Sequence, residues 1–211
     1  MDAQAIVLTG EKVLLVPMTY AHVDALYEAA RDPEIWRYTR ENIVTLDDAS
    51  RFVDRAMKAE RTLPFVVTEQ GTGRVLGSTR LYDLSPGNRS LELGVSWLRS
   101  DVWRTGVNRE CKYLLLRHSF ESLGTVRVQL KADVRNVRSQ LAIERLGASR
   151  EGIMRNHIIL PDGTVRDSVI YSITDYEWPV VKSALEADLG LRNPAARTWS
   201  MAHAGEASPA V

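Results

Sequence analysis

Several short stretches of the 211-residue chain carry residue types able to do chemistry. The first is DVWRTGVNRECKY, residues 101–113, which reads as a loop entering a helix. Bare backbone N–H groups at a helix start, helped by the helix dipole, bind anions without needing a basic side chain. Gly106 can take a positive φ and let a phosphate approach the backbone, and Arg104 adds a charged donor. The same stretch also reads as a plain helix entry capped by Asn108 or Thr105.

The second candidate is Glu92. In SLELGVSWL the alternation of a strand puts Leu91, Leu93, Val95 and Trp97 on one face and Glu92, Gly94, Ser96 and Leu98 on the other. A carboxylate whose pKa is raised by partial burial can act as a base near neutral pH. An exposed glutamate on a half-wet face is the alternative. Asn136 and Ser139 come next, at the start of a short helix. Asn136 is a natural N-cap, and Ser139 shares a stripe with Ala142, Ile143 and Leu146. Its hydroxyl could protonate a leaving group or bond a carbonyl one turn back. His157, on a strand near a hairpin, and Asp167, on the next strand, are further polar candidates; Trp36 and Tyr38 sit in a loop able to floor a substrate pocket. His22, His118, His157 and His203 lack ligand spacing, so no metal is expected, and no Walker A, HExxH, GxSxG or Rossmann fingerprint is present.

These residues need a frame to position them. Residues 12–18 read as a strand, 20–32 as a helix stopped by Pro33, and 46–61 as a helix capped by Asp47 or Asp48, with Phe52, Val53 and Met57 on its apolar side. Strand-like runs at 63–69, 74–84 and 89–99 are joined by QGTG and SPGN, both turn signals that imply antiparallel neighbours. A long, largely buried helix is expected at 108–123. Residues 125–133 alternate without fault, with Val126, Val128, Leu130 and Ala132 on one face and Arg127, Gln129 and Lys131 on the other. A short helix at 136–148 stops at Gly147, a hairpin turns at Pro161-Asp162-Gly163, and a terminal helix or helical turn follows at 175–189. The order β-α-α-β-β-β-α-β-α-β-β implies an α/β (α+β) fold with a mixed, mostly antiparallel sheet and helices on both faces. Residues 1–189 read as one domain and 190–211, rich in Ala, Pro, Ser and Gly, as a flexible tail.

Lys+Arg and Asp+Glu are both 27, so no net field recruits nucleic acid or an anionic membrane. The single cysteine, Cys111, excludes an internal disulfide and a Cys-rich zinc site. No signal peptide and no apolar run of spanning length is read, which gives a cytoplasmic expectation.

Taken in order, LELGVSWL, WRTGVNRECKYLLLRHSFE, VQLKADVRNVRSQLAIERLGA, REGIMR and RDSVIYSITDYEW resemble the GNAT-type acyl-CoA-dependent N-acetyltransferases, specifically their RimJ/RimL-like branch, over roughly residues 9–180. The resemblance implies that the loop before the long helix cradles the CoA pyrophosphate. The stretch matching that loop is Trp103-Arg104-Thr105-Gly106-Val107-Asn108. Gly106 matches the family pattern; Trp103 stands for Gln/Arg and Asn108 for Gly/Ala. Backbone around Ser96, Trp97 and Leu98 is implied for the acyl-pantetheine arm. The position of the acid tyrosine found in many members is Ile143 here, and Asn136 and Ser139 match an Asn-x-x-Ser pair of the branch.

The reaction implied is direct transfer of acetyl from acetyl-CoA to a primary amine, a peptide N-terminus or a small amine. Glu92 is then the base, acting directly or through water, Asn136 the holder of the pantetheine end and Ser139 the acid. No metal, nucleic acid or membrane partner is implied, and a homodimer through edge strands or the terminal segment is compatible. A non-catalytic acyl-CoA sensor and an enzyme using succinyl-CoA are the alternatives.

Overall fold

The computed structural model describes residues 6–160 and 162–191. The expected tail from residue 192 on, Pro161 of the hairpin turn and His203 lie outside the described residues. Among those described, eight strands form one sheet: β1 (Leu8–Thr9), β2 (Val13–Pro17), β3 (Leu63–Glu69), β4 (Val75–Ser85), β5 (Ser90–Leu98), β6 (Arg127–Asp133), β7 (Ser149–Ile159) and β8 (Val165–Thr174). The helices are α1 (Val23–Ala29), α2 (Leu46–Lys58), α3 (Val107–Arg117), α4 (Val137–Glu144) and α5 (Trp178–Asp188). The expected fold class holds. The sheet runs β1-β2-β3-β4-β5-β6-β8-β7, antiparallel throughout except where β5 meets β6. The two-residue β1 is an addition, a hairpin partner too short to leave a pattern in sequence.

Two apolar layers sandwich the sheet. On one side α3 and α5 bury Leu115, Leu116 and Leu185 against Leu81, Leu91, Leu93, Val128, Leu130 and Tyr171. On the other, α1 and α2 bury Leu26, Phe52 and Val53 against Val66, Trp36 and Trp97, but only over the β2–β5 half. The far half of that face, on β6, β8 and β7, carries polar groups instead: Arg127, Gln129, Lys131, Ser168, Ser172.

Local sequence explains most boundaries. Thr45, not Asp47 or Asp48, caps α2: its hydroxyl accepts from Asp48 N–H, and Asp48 reciprocates on Thr45 N–H at 2.8 Å. Ala56 takes the buried place on α2 expected for Met57, which is 40% exposed. The long helix starts one residue early and ends in a π-helical turn, His118–Ser122. On β6 the expected alternation is observed, with Val128, Leu130 and Ala132 buried.

Candidate active site

The helix entry after β5 is bare. A 3-10 turn (Ser100–Val102) leads to Arg104 at φ 66° and Gly106 at φ 91°, and α3 begins at Val107. Neither expected cap operates. The Thr105 hydroxyl donates to the Val102 carbonyl at 2.7 Å, Asn108 lies inside the first turn, and among the described residues no side chain accepts from the helix start. The first-turn N–H groups are therefore left for an anion, with the positive end of the helix dipole behind them. Arg104 and Gly106 both lie in the left-handed region, a backbone conformation that anion-binding turns use.

A lysine distant in sequence completes this corner. Lys12 Nζ bonds the Thr105 carbonyl at 2.9 Å and lies 3.1 Å from where a Cβ on Gly106 would stand. The buried carboxylate of Glu110, on the first turn of α3, holds Lys12 there. It accepts from Glu11 N–H at 2.7 Å and Lys12 N–H at 2.9 Å, pinning the β1–β2 turn to the helix. Gly10 permits this approach, since any Cβ would sit 2.7 Å from the Glu110 carboxyl carbon.

Beside this corner the sheet opens. β5 pairs with β6 only from Ser90 to Glu92, opposite Arg127 to Gln129; beyond that both strands continue without each other. On its other side β5 carries a bulge against β4: Ser78 pairs with Trp97 and Arg80 with Gly94, so Val95 and Ser96 oppose Thr79 alone. Val95 sits at φ 47°, a left-handed conformation that costs a β-branched residue about 1–3 kcal/mol. The extra residue shifts the phase of the strand and corrects the expected alternation. Leu91, Leu93 and Leu98 share the α3 side, whereas Trp97 packs among α1 and α2, 5.1 Å from Trp36. Arg99 N–H bonds the Leu76 carbonyl on β4, so the polar groups of Leu98 point the other way, into the opening. There the Leu98 carbonyl accepts from the Trp103 indole at 2.9 Å.

Beneath the bulge stands an unexpected cation. Lys112 of α3 is 7% exposed and donates to Ser96 Oγ at 2.6 Å; Ser96 in turn bonds Thr79 Oγ1 at 2.7 Å. Among the described residues no carboxylate pairs with it, and burial brings its pKa down to about 8. Its neighbour Cys111 is 3% exposed, and burial pushes that thiol up to about 12.

Glu92 occupies the last paired position before the opening and is 3% exposed. Its carboxylate accepts from the Tyr82 hydroxyl, from Gln129 Nε2 at 3.1 Å and from Lys131 Nζ at 2.7 Å. Burial raises its pKa, and Lys131 and Gln129 pull it part of the way back. The space that Gly94 leaves beside it is taken by the Tyr82 ring, 3.1 Å from where a Cβ would stand. Glu92 is thus a buried, oriented carboxylate rather than an exposed one.

Asn136 does cap α4: its Oδ1 accepts from Ser139 N–H at 3.0 Å. Ser139 is half-buried in the first turn, and Arg138 beside it lies 3.8 Å over the Trp103 ring, which ties the start of α4 to the opening. Trp36 is a packing residue, with its indole on the Ala30 carbonyl at 2.9 Å, while Tyr38 is half-buried. His157 is held below its usual pKa by burial and by nearby Lys131 and Arg166, so it shares the polar surroundings of Glu92. Asp167 does not: by strand parity it lies on the face of Tyr171, and its carboxylate accepts from Asn156 N–H at 2.7 Å.

Lys12, Glu110, Tyr82, Lys131 and Lys112 are the residues that sequence reasoning missed. Only Lys131 left a usable signal, since it shares the alternating face of Gln129. Among the described residues no group of three His, Cys, Asp or Glu could hold a metal, and no helix is long and apolar enough to cross a membrane.

Comparison with known proteins matches residues 12–149 to the Acetyltransferase (GNAT) domain. The uncharacterized N-acetyltransferase YnaD of Bacillus subtilis (strain 168) is 24% identical over 173 residues, covering 81% of this chain and 98% of that protein. A solved GCN5-related N-acetyltransferase from Brucella melitensis is similar at TM-score 0.84 and 28% identity, over 92% of this chain and 89% of its own. A solved acetyltransferase candidate from T. thermophilus gives TM-score 0.83 at 38% identity, over 90% of this chain and 100% of its own.

Proposed function

The chain belongs to the GNAT acetyltransferase family and is an acetyl-CoA-dependent N-acetyltransferase, and we propose that Glu92 is the base that prepares the acceptor amine for direct transfer. One observation carries this reading: a buried carboxylate stands where β5 and β6 part, on the same strand that leads into the bare start of α3. Residues 1–189 act as one acetyltransferase domain of the RimJ/RimL-like branch, working in the cytoplasm.

Acetyl-CoA supplies the acetyl thioester and a thiolate leaving group. The N–H groups of Val107 and Asn108, with Thr105, Gly106, Arg104 and Lys12 around them, hold its pyrophosphate. Backbone of Trp97 and Leu98 at the opened edge takes the acyl-pantetheine arm, and the Leu98 N–H polarises the carbonyl. The amide NH2 of Asn136, left over once its oxygen has capped α4, donates to the pantetheine end. Glu92, with its pKa raised by burial, takes a proton from the amine, which attacks the thioester. Ser139 gives its proton to the departing sulfur as the C–S bond breaks. Holding amine and thioester together supplies several kcal/mol of the barrier reduction. Trp36, Tyr38 and His157 shape the acceptor side, and the acceptor is a primary amine, either a peptide N-terminus or a small molecule.

The test is Glu92→Gln, followed by CoA thiol release across a pH series. The acid limb of the wild-type profile should lie above the ordinary carboxylate range, because the raised pKa keeps Glu92 protonated there. In the variant that limb should flatten, with kcat down roughly 100-fold and acetyl-CoA affinity kept. An unchanged pH–rate profile removes Glu92 from the base role.

A further inference from the structure

The charged group that this chemistry leaves unused is Arg80. It lies on β4 opposite Gly94 and is therefore diagonal to Glu92 on β5. Such diagonal partners have Cα atoms about 7–8 Å apart, within reach of two long side chains. Arg80 and Tyr82, two residues apart, point to the same face, and Tyr82 touches the Glu92 carboxylate. Arg80 is 8% exposed, and its guanidinium sits 4.7 Å over the Phe52 ring of α2. Its Nε and Nη2 have no acceptor among the described residues. Burial lowers its pKa, yet an arginine stays protonated at neutral pH.

An unpaired buried charge is one of the most expensive features a fold can carry. Among the described residues no acid bonds this one: Glu41 favours its charge from a distance, and every acid around the acceptor side already has a cation partner. Glu41 is bound to Arg55 at 2.5 Å, Asp133 to Arg135 at 2.7 Å and Glu151 to Arg127 at 2.5 Å, while Glu92 is held by Lys131. Arg166, a half-buried guanidinium on the polar half of the face, has Asp133 and Glu92 near enough to favour its charge, but bonds only the Ser168 hydroxyl among the described residues, at 3.0 Å. The acceptor side thus carries more fixed cations than anions.

We infer that Arg80 receives a carboxylate of the acceptor, so that the enzyme acetylates a small amine bearing its own carboxylate, of the amino-acid kind. This rests on the reading that Glu92 takes the amine proton. The guanidinium fork matches a carboxylate in two parallel bonds, and the diagonal spacing lets one small molecule present its amine to Glu92 and its carboxylate to Arg80. A peptide N-terminus, whose neighbouring carbonyl is an uncharged amide, leaves Arg80 unpaired.

The experiment compares α-amino acids with their carboxamides, and with short peptides, in acetyl-CoA-dependent thiol release. The wild type should prefer the acids by about tenfold or more in kcat/KM, the effect of losing a charge-assisted hydrogen bond. Arg80→Met should raise KM for the acids about tenfold and leave the carboxamides within about twofold, and Arg80→Lys should restore part of the preference. Equal use of acids and carboxamides by the wild type overturns the inference. So does an Arg80→Met variant that slows both classes alike while its melting temperature falls, which is the signature of packing on Phe52. Glu92→Gln should slow both classes equally. If it slows neither, the base assignment fails, and the acid-to-carboxamide ratio still reads out Arg80.

Discussion

Helices α3 and α4 both follow strands that border the opening of the sheet, and both begin with residues that could serve as caps. They start differently. At α4, Asn136 turns its own oxygen onto Ser139 N–H, so that the backbone is satisfied from within. At α3, Gly106 has no side chain, Thr105 points away to Val102, and the first-turn N–H groups stay open beneath Lys12. A helix that caps itself spends the donors an anion would need; one that enters through a glycine at φ 91° keeps them. The same residue types therefore mark a structural joint in one place and a ligand corner in the other.

The comparison breaks most sharply at Gly106. Gly106→Val forces a β-branched residue into the left-handed region and drives its Cβ toward Lys12 Nζ. Acetyl-CoA affinity, by titration calorimetry, should fall at least about tenfold, together with a loss of about 1–3 kcal/mol in stability. A loss of stability alone would make α3 as ordinary an entry as α4. Next comes Glu110→Ala, which frees the β1–β2 turn and withdraws Lys12 from the corner. It should weaken acetyl-CoA binding about threefold and cost about 1–3 kcal/mol, since two backbone N–H groups lose their acceptor. The smallest effect belongs to α4. Asn136→Ala should cost about 1 kcal/mol of stability by thermal denaturation. Asn136→Asp, which keeps the cap and removes the amide donor, should hold stability within about 0.5 kcal/mol and lower affinity about twofold.

What could be read from the sequence was whatever depends on neighbours along the chain. The alternation of β6, the Asn136 cap and the turn glycines are local and came through. The bare start of α3 was one of two open readings, because a cap is decided by where Thr105 points and not by its type. The phase of β5 was misread, since the bulge at Val95 answers to the parting of β5 from β6, a tertiary event with no mark in SLELGVSWL. Lys12 and Glu110 are 98 residues apart, and Arg80 meets Phe52 across a helix–sheet interface; no periodicity connects such pairs. Glu92 stood out by type, but its three partners come from β4 and β6.

Cys111 has a practical consequence at the bench. It is the chain's one sulfhydryl, it is buried on the core side of α3, and with its pKa pushed up to about 12 it holds almost no thiolate at the pH of an assay. A thiol-reactive dye mixed with the folded enzyme should therefore stay dark until CoA is liberated, so every increment of colour counts turnover. Should colour rise without acceptor or cofactor, toward one equivalent per chain, the dye is reporting molecules that have come unfolded.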